Sequence, residues 1–359
     1  MTQVTVVVGG QFGSEGKGAV AGFLGRKMKR NDLAIRVAGP NAGHTAYDAA
    51  GQEWKLRAVP VAAVTSEDCQ LHIAAGSEVD LEVLWKELRS LDDAGHNASR
   101  RLTIHPSATL LEPDRHPSQE LERGIVGQLG STGKGIGAAR ADRIWRTAST
   151  FEQAVMHMGV EGQRHWEPFL GEPGTLDLHG VSHAVIEGTQ GYGLGLHTGY
   201  YPRVTSSDCR AVDFLAMAGI SPWALQVDPI QVIVVARTYP IRVAGNSGPL
   251  LRETSWEELG LPQERTTVTN KVRRVGDWDI ELLRAAVEAN GGGGWNTSVQ
   301  LAITMLDQRF KGTADTHPDK WQGATAAEAT DWLLEVQDDL ETDIAYVGTG
   351  PQSLHEVTL

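Results

Sequence analysis

Short apolar runs closed off by glycine or charge recur along the chain, and amphipathic stretches fall between them. Residues 4–8 (Val-Thr-Val-Val-Val) are mostly β-branched and stop at Gly9-Gly10, which predicts a strand buried on both faces of a parallel sheet. Over residues 17–30, Val20, Phe23, Leu24 and Met28 recur at near-helical spacing and predict a helix. Residues 33–37 and 71–74 read as a second and a third strand. From 79 to 91, Val79, Leu81, Val83, Leu84, Leu88 and Leu91 are interleaved with charges, the pattern of an amphipathic helix. Further strands are predicted at 184–186, 231–236 and 301–305, and helices at 280–289 and 326–336. This alternation predicts an α/β fold, a large and mainly parallel sheet with flanking helices. No internal repeat appears, the glycine tract at 291–294 reads as a flexible connector, and nothing marks a cut. The expectation is therefore one domain, 1–359, with helical insertions.

Composition narrows the function classes. Of 359 residues 41 are glycine, where ordinary usage of ~7% gives about 25. The excess favours tight turns and ligand sites lined by backbone. Lys and Arg number 32 against 45 Asp and Glu, a formal charge of −13. Such a surface repels DNA and anionic lipid, so neither nucleic acid nor membrane is an expected partner; a nucleotide needs only a few local cations and N–H groups. Two distant cysteines, Cys69 and Cys209, do not make a disulfide framework or a zinc site. The N-terminus has no basic segment before its apolar run, and no stretch approaches the ~20 apolar residues of a membrane span. A cytoplasmic location is expected.

Five polar segments carry the chemistry. Gly13-Ser14-Glu15-Gly16-Lys17-Gly18 joins the first strand to the first helix, the arrangement that aims backbone N–H groups at phosphate. It is P-loop-like, but five residues separate Gly10 from Gly16, and Gly18 stands where a P-loop has its magnesium-binding hydroxyl. Taken alone, it is also compatible with a plain turn. Asn41-Ala42-Gly43-His44-Thr45 follows the second strand, and a histidine there can donate a proton. The loop from Gly130 to Gly137, containing Ser131, Thr132 and Lys134, is a second candidate phosphate grip. Glu187-Gly188-Thr189-Gln190-Gly191 is followed by Tyr201-Pro202-Arg203-Val204-Thr205. The basic stretch Thr269-Asn270-Lys271-Val272-Arg273-Arg274 suits a carboxylate or phosphate.

In this order the five segments resemble the adenylosuccinate synthetase family, over residues 4–351. The resemblance implies a P-loop-like, NTPase-related fold and a ligase that couples a nucleoside triphosphate, a 6-oxopurine nucleotide and L-aspartate. In that family the purine O6 is phosphorylated, and the aspartate amine then displaces phosphate at C6. It further implies Ser14, Lys17, His44 and Gln190 at the reacting centre, with Lys17 on the transferring phosphate and His44 as general acid. Gly13, Glu15, Gly16, Lys17, Gly18, Gly43 and Thr45 would hold the triphosphate, whose base would lie against Asp307, Gly350 and Pro351. Ser14, Asn41, Ser131, Thr132, Gln190 and Thr205 would hold the purine monophosphate. Arg146 would reach the nucleotide of a neighbouring subunit, implying a homodimer. Thr269, Lys271 and Arg273 would bind aspartate, and Mg²⁺ would sit at Ser14 and the Gly43 carbonyl.

Three positions depart from the family pattern. Where the family has an aspartate that takes the purine N1 proton and binds Mg²⁺, this chain has Ser14. A neutral serine is a poor base, yet it leaves room for a 2-amino group and accepts a hydrogen bond from one. That substitution marks a phage branch, the N6-succino-2-amino-2′-deoxyadenylate synthases, and points to dGMP as substrate in the cytoplasm of an infected bacterium. Met305 replaces a lysine beside the base-reading Asp307, which points to ATP or dATP in place of GTP. Lys271 replaces an arginine and lacks its bidentate fork. The alternatives are an ordinary synthetase using IMP and GTP, and a non-catalytic nucleotide-binding protein.

Overall fold

The computed structural model describes residues 1–129, 131–224, 227–266, 270–292 and 297–359. The apolar runs become a nine-stranded sheet. Its strands are β1 (Gln3–Gly9), β2 (Leu33–Arg36), β3 (Gln70–Ile73), β4 (Leu102–Ile104), β5 (His183–Glu187), β6 (Ile230–Arg237), β7 (Thr297–Thr304), β8 (Ile344–Gly350) and β9 (Ser353–Glu356). They lie in the order β9-β8-β7-β6-β1-β5-β2-β3-β4, and every pairing is parallel except β8 with β9 at one edge. Parallel pairing needs cover on both faces, and β1 shows how the sequence supplies it. Val4, Val6 and Val8 enter one core with Phe214, Leu215, Leu283 and Leu333; Val7 enters the other with Val20, Leu24, Leu84 and Leu88.

Three predicted helices change their bounds. The first, α1 (Lys17–Gly25), stops five residues before Arg30. A Cβ at Gly25 would fall 2.2 Å from the Thr65 hydroxyl, so its last turn is pressed against a neighbouring segment. The second, α2 (Leu81–Asp93), starts after Val79, which is drawn into a short strand with Leu110; Asp80 caps it by accepting from the Glu82 and Val83 amides. The helix at 280–289 forms as Ile280–Ala289, and that at 326–336 extends to Ala324–Leu340. Of the glycine tract, 293 and 294 lie outside the described residues.

This topology fixes where a ligand can sit. From β1 the chain passes to β2 on one side, whereas β6, β7 and β8 build outward on the other. Connections that diverge at adjacent strand ends leave a crevice beyond the carboxyl end of β1. The loop 10–16 opens there.

Candidate active site

Glycine 18 explains why the phosphate loop departs from the P-loop pattern. A Cβ on it would lie 2.7 Å from the Thr45 carbonyl and 2.8 Å from the His44 Cβ, so a serine or threonine has no room. That contact presses the start of α1 against the hairpin of His44–Tyr47 and Glu53–Leu56. The loop itself is closed on an internal anion. Glu15, fully buried, accepts from the Gln11 amide (3.2 Å), the Gly13 amide (2.7 Å) and Lys17 Nζ (2.6 Å). Lys17 Nζ also donates to the Gln190 carbonyl, and the Thr304 hydroxyl holds the Glu15 carbonyl at 2.6 Å.

His44 belongs to a buried cluster with Arg36 and Glu187, which come from the carboxyl ends of β2 and β5. Its Nδ1 lies 2.5 Å from Glu187 Oε1 and 2.6 Å from Arg36 Nη1. Arg36 pairs with Glu187 and donates to the Ala42 carbonyl at 2.7 Å, while Glu187 Oε2 accepts from the Val61 amide at 2.9 Å. With Glu187 as acceptor, Nδ1 carries the proton and Nε2 is left for a ligand. Burial, then the Arg36 cation, hold the imidazole down at about 4 against the opposing pull of Glu187, with Lys17 adding to the depression. The ring is therefore neutral at pH 7, and only an arriving negative charge can favour its protonation.

His72, buried on β3 with Nδ1 2.9 Å from the Thr103 hydroxyl, is likewise held at about 4 by burial and His105. Both folded values lie below the ~6.5 of an unfolded histidine, so the unfolded chain binds more protons between pH 6.5 and 4. Stability is full above pH ~6.5 and falls on acidification through that window, each ring contributing on the order of 3 kcal/mol. Urea midpoints at pH 7.5, 6 and 5 should fall in that order, and His72→Gln should flatten the profile. A midpoint that rises at pH 5 refutes it.

Ser14 stands at the mouth of the loop, exposed, with φ 61°. Its hydroxyl oxygen accepts from Arg273 Nη1 at 2.5 Å, and its carbonyl accepts from Arg237 Nη1 at 3.3 Å. The buried Arg237 is neutralised by Glu264. Among the described residues Arg273 has no carboxylate within ion-pair distance, and its Nε has no partner among them. Lys271 is exposed, and Thr269 lies outside the described residues.

The remaining expected residues lie on several separate segments. Asn41 and Gly43 lie accessible in the turn before the hairpin, Thr45 is partly buried within it, and Gln190 (φ 60°) follows β5. The loop with Ser131 and Thr132 precedes helix α3 (Ile136–Trp145), whose first residue touches Gly39. Much of this loop's capacity for anions is already engaged: buried Glu120 accepts from Gly135 (3.0 Å), Gly137 (2.8 Å) and the Ser131 hydroxyl (3.4 Å). Arg146, exposed, ends α3 about 15 Å from that loop at 1.5 Å per residue, beside exposed Ile144 and Trp145. The Thr205 amide is tied to the Leu194 carbonyl at 2.8 Å. Asp307 follows β7, half-buried, with burial raising its carboxyl. Gly350 and Pro351 form the turn from β8 to β9, where Asp315 accepts from Ser353 at 2.7 Å.

Sequence reasoning missed Arg36, Glu187 as the partner of His44, the Arg237–Glu264 pair and Glu120. The signal for two of them was present: Arg36 and Arg237 are lone charges at the carboxyl ends of apolar strands. For magnesium, the donors at Ser14 and Gly43 are neutral oxygens, and the described residues contain no group of three acidic, histidine or cysteine side chains fit for a metal. Such a pair suits Mg²⁺ that arrives with phosphates supplying the negative charge.

Comparison with known proteins bears on the whole arrangement. The family profile described as adenylosuccinate synthetase matches residues 6–162 and 177–311. Adenylosuccinate synthetase of Thermococcus sibiricus is 34% identical over 99% of this chain and 98% of its own. That of Methanocaldococcus jannaschii is 33% identical over 99% and 96%. Among solved structures, the succinoaminodeoxyadenylate synthetase of cyanophage S-2L, bound to dGMP and to dATP as energy donor, superposes with a TM-score of 0.77. It shares 25% identity, covering 99% of this chain and 95% of that one. The fully ligated Plasmodium falciparum adenylosuccinate synthetase gives 0.75 at 20% identity, over 99% of this chain and 100% of that one, and so supports the fold.

Proposed function

The chain belongs to the adenylosuccinate synthetase family, and from that premise we propose that it joins L-aspartate to C6 of dGMP at the expense of ATP or dATP. The product would be N6-succino-2-amino-2′-deoxyadenylate, a precursor of 2-aminoadenine DNA, with nucleoside diphosphate and phosphate released. The coarser statement, a ligase that forms a C–N bond, follows from the family. The observation carrying the finer one is Ser14, a neutral and exposed hydroxyl at the mouth of the phosphate loop. The likeness to the cyanophage enzyme, bound to dGMP and dATP, supports it.

In this reading Lys17 leaves Glu15 and the Gln190 carbonyl to hold the phosphate in flight. His44, protonated as the phosphates arrive, donates from Nε2 toward the purine O6, with Glu187 keeping the ring oriented. Ser14, one lone pair already taken by Arg273, accepts from the purine 2-amino group with the other, and the N1 proton passes to an oxygen of the triphosphate as O6 takes up the phosphoryl group. Arg273 meets a carboxylate of aspartate, whose amine displaces phosphate at C6. Asn41, Thr132, Gln190 and Thr205 hold the monophosphate, and Asp307 with the 350–351 turn takes the triphosphate base. The main-chain carbonyls of Ser14 and Gly43 would hold Mg²⁺, which would supply charge neutralisation. Arg146, on an exposed apolar corner, would serve the second subunit of a homodimer in the cytoplasm of an infected host.

A second reading, IMP with GTP, is favoured by the archaeal relatives at 33–34% identity. A matrix of IMP, GMP and dGMP against ATP, dATP and GTP, each with aspartate, separates the two by phosphate release. The proposed function expects the highest kcat/KM for dGMP with ATP or dATP, and turnover of IMP without dGMP eliminates it. Strict dependence on GTP eliminates the assigned donor alone.

A further inference from the structure

Arginine 242 is 2% exposed, and among the described residues no carboxylate pairs with it. Its Nη1 donates to the Pro249 carbonyl (3.0 Å) and its Nη2 to the Arg203 carbonyl (2.9 Å), while its Nε has no partner among the described residues. The guanidinium carbon lies 4.2 Å from the centre of the Phe12 ring and 5.9 Å from that of Tyr200. The neighbouring charges are Arg274, paired across a short antiparallel ladder, and Arg203. Burial, with Arg274 next, pushes the guanidinium down to about 10. Even Gly248 is shaped to it: a Cβ there would fall 2.7 Å from Nη2.

A buried cation without a counter-ion costs several kcal/mol, so its retention calls for a use. Its contacts supply one. Phe12 lies within the phosphate loop, and Arg203 is two residues before Thr205. The ladder partner Arg274 follows Arg273 directly. One side chain thus touches, or adjoins, the segments assigned above to triphosphate, monophosphate and aspartate.

We propose that Arg242 is a positioning residue that couples these three half-sites, and that its missing counter-charge is provided only when the anionic substrates bind. The inference rests on the functional reading above for which ligand each segment takes. It predicts a separation that a purely structural arginine would not give: the free protein gains little from Arg242, whereas the liganded protein depends on it.

The test compares wild type with Arg242→Met, Arg242→Lys and Phe12→Leu. Arg242→Met should keep the Tm of the free protein within about 3 °C, because an apolar side chain of similar length replaces an uncompensated charge. Its kcat/KM should fall at least 30-fold, with KM rising for monophosphate and aspartate together. The rise in Tm on adding ATP alone should shrink to less than half. Phe12→Leu should move both KM values in the same direction, and Arg242→Lys should fall in between. If Arg242→Met does not fold, the two milder variants decide: KM values within twofold of wild type in both overturn the proposal. So does a stable Arg242→Met with unaltered kcat/KM. Assays use whichever purine monophosphate the wild type turns over. Absence of turnover with any of them would instead defeat the functional reading, and the ATP-dependent shift would still report on Arg242.

Discussion

Replacing His44 by asparagine should lower kcat by about 10²- to 10⁴-fold while leaving the KM for each substrate within a few fold. Asparagine keeps a polar group beside Glu187 and Arg36 but can neither carry nor pass a proton at the position of Nε2. The ring is buried, neutral and oriented by Glu187, a geometry suited to a group that becomes acidic only when phosphate charge arrives. Steady-state phosphate release measures the effect, and a kcat within threefold of wild type would remove His44 from the chemistry. Glu187→Gln separates orientation from stability. It leaves Arg36 without its counter-charge in a site 1% exposed, so a loss on the order of 3–5 kcal/mol in unfolding free energy should accompany any loss of rate.

Placing aspartate at position 14 should move the ratio of kcat/KM values from dGMP toward IMP by on the order of 10²-fold. A carboxylate beside N1 can take a proton that Ser14 cannot, and it occupies the space a 2-amino group would use. The contact between Ser14 and Arg273 adds a second consequence. A carboxylate 2.5 Å from that guanidinium would pair with it and compete with the carboxylate of the amino-acid substrate. The KM for aspartate should therefore rise several-fold with either purine, whereas Ser14→Ala should leave it within about twofold. An unchanged purine ratio in Ser14→Asp would show that position 14 does not choose the base.

What the sequence made legible follows from how local each signal is. Six of the nine sheet strands announced themselves by apolar runs, whereas β4, β8 and β9 did not, and the helix at 280–289 showed an apolar stripe that tertiary contacts did not alter. Helix ends were less legible because distant residues set them. Gly25 stops α1 against Thr65, and Val79 leaves its helix to pair with Leu110. The candidate site was legible as segments, since glycine, histidine and basic clusters follow strand ends. The pairings inside it were not. Glu15 turning inward onto the loop amides, Glu187 reaching His44 from 143 residues away and Glu120 closing on the 131–137 loop depend on strand order, which no local pattern encodes.

The backbone at Ser14 adds a constraint of a different kind. With φ at 61°, that position admits glycine, asparagine, aspartate and serine far more readily than branched or bulky residues. An evolving lineage, or a directed-evolution library, therefore has a short alphabet there. A change of base preference can proceed through single steps among small polar residues, and a four-member library covers most of the accessible alternatives.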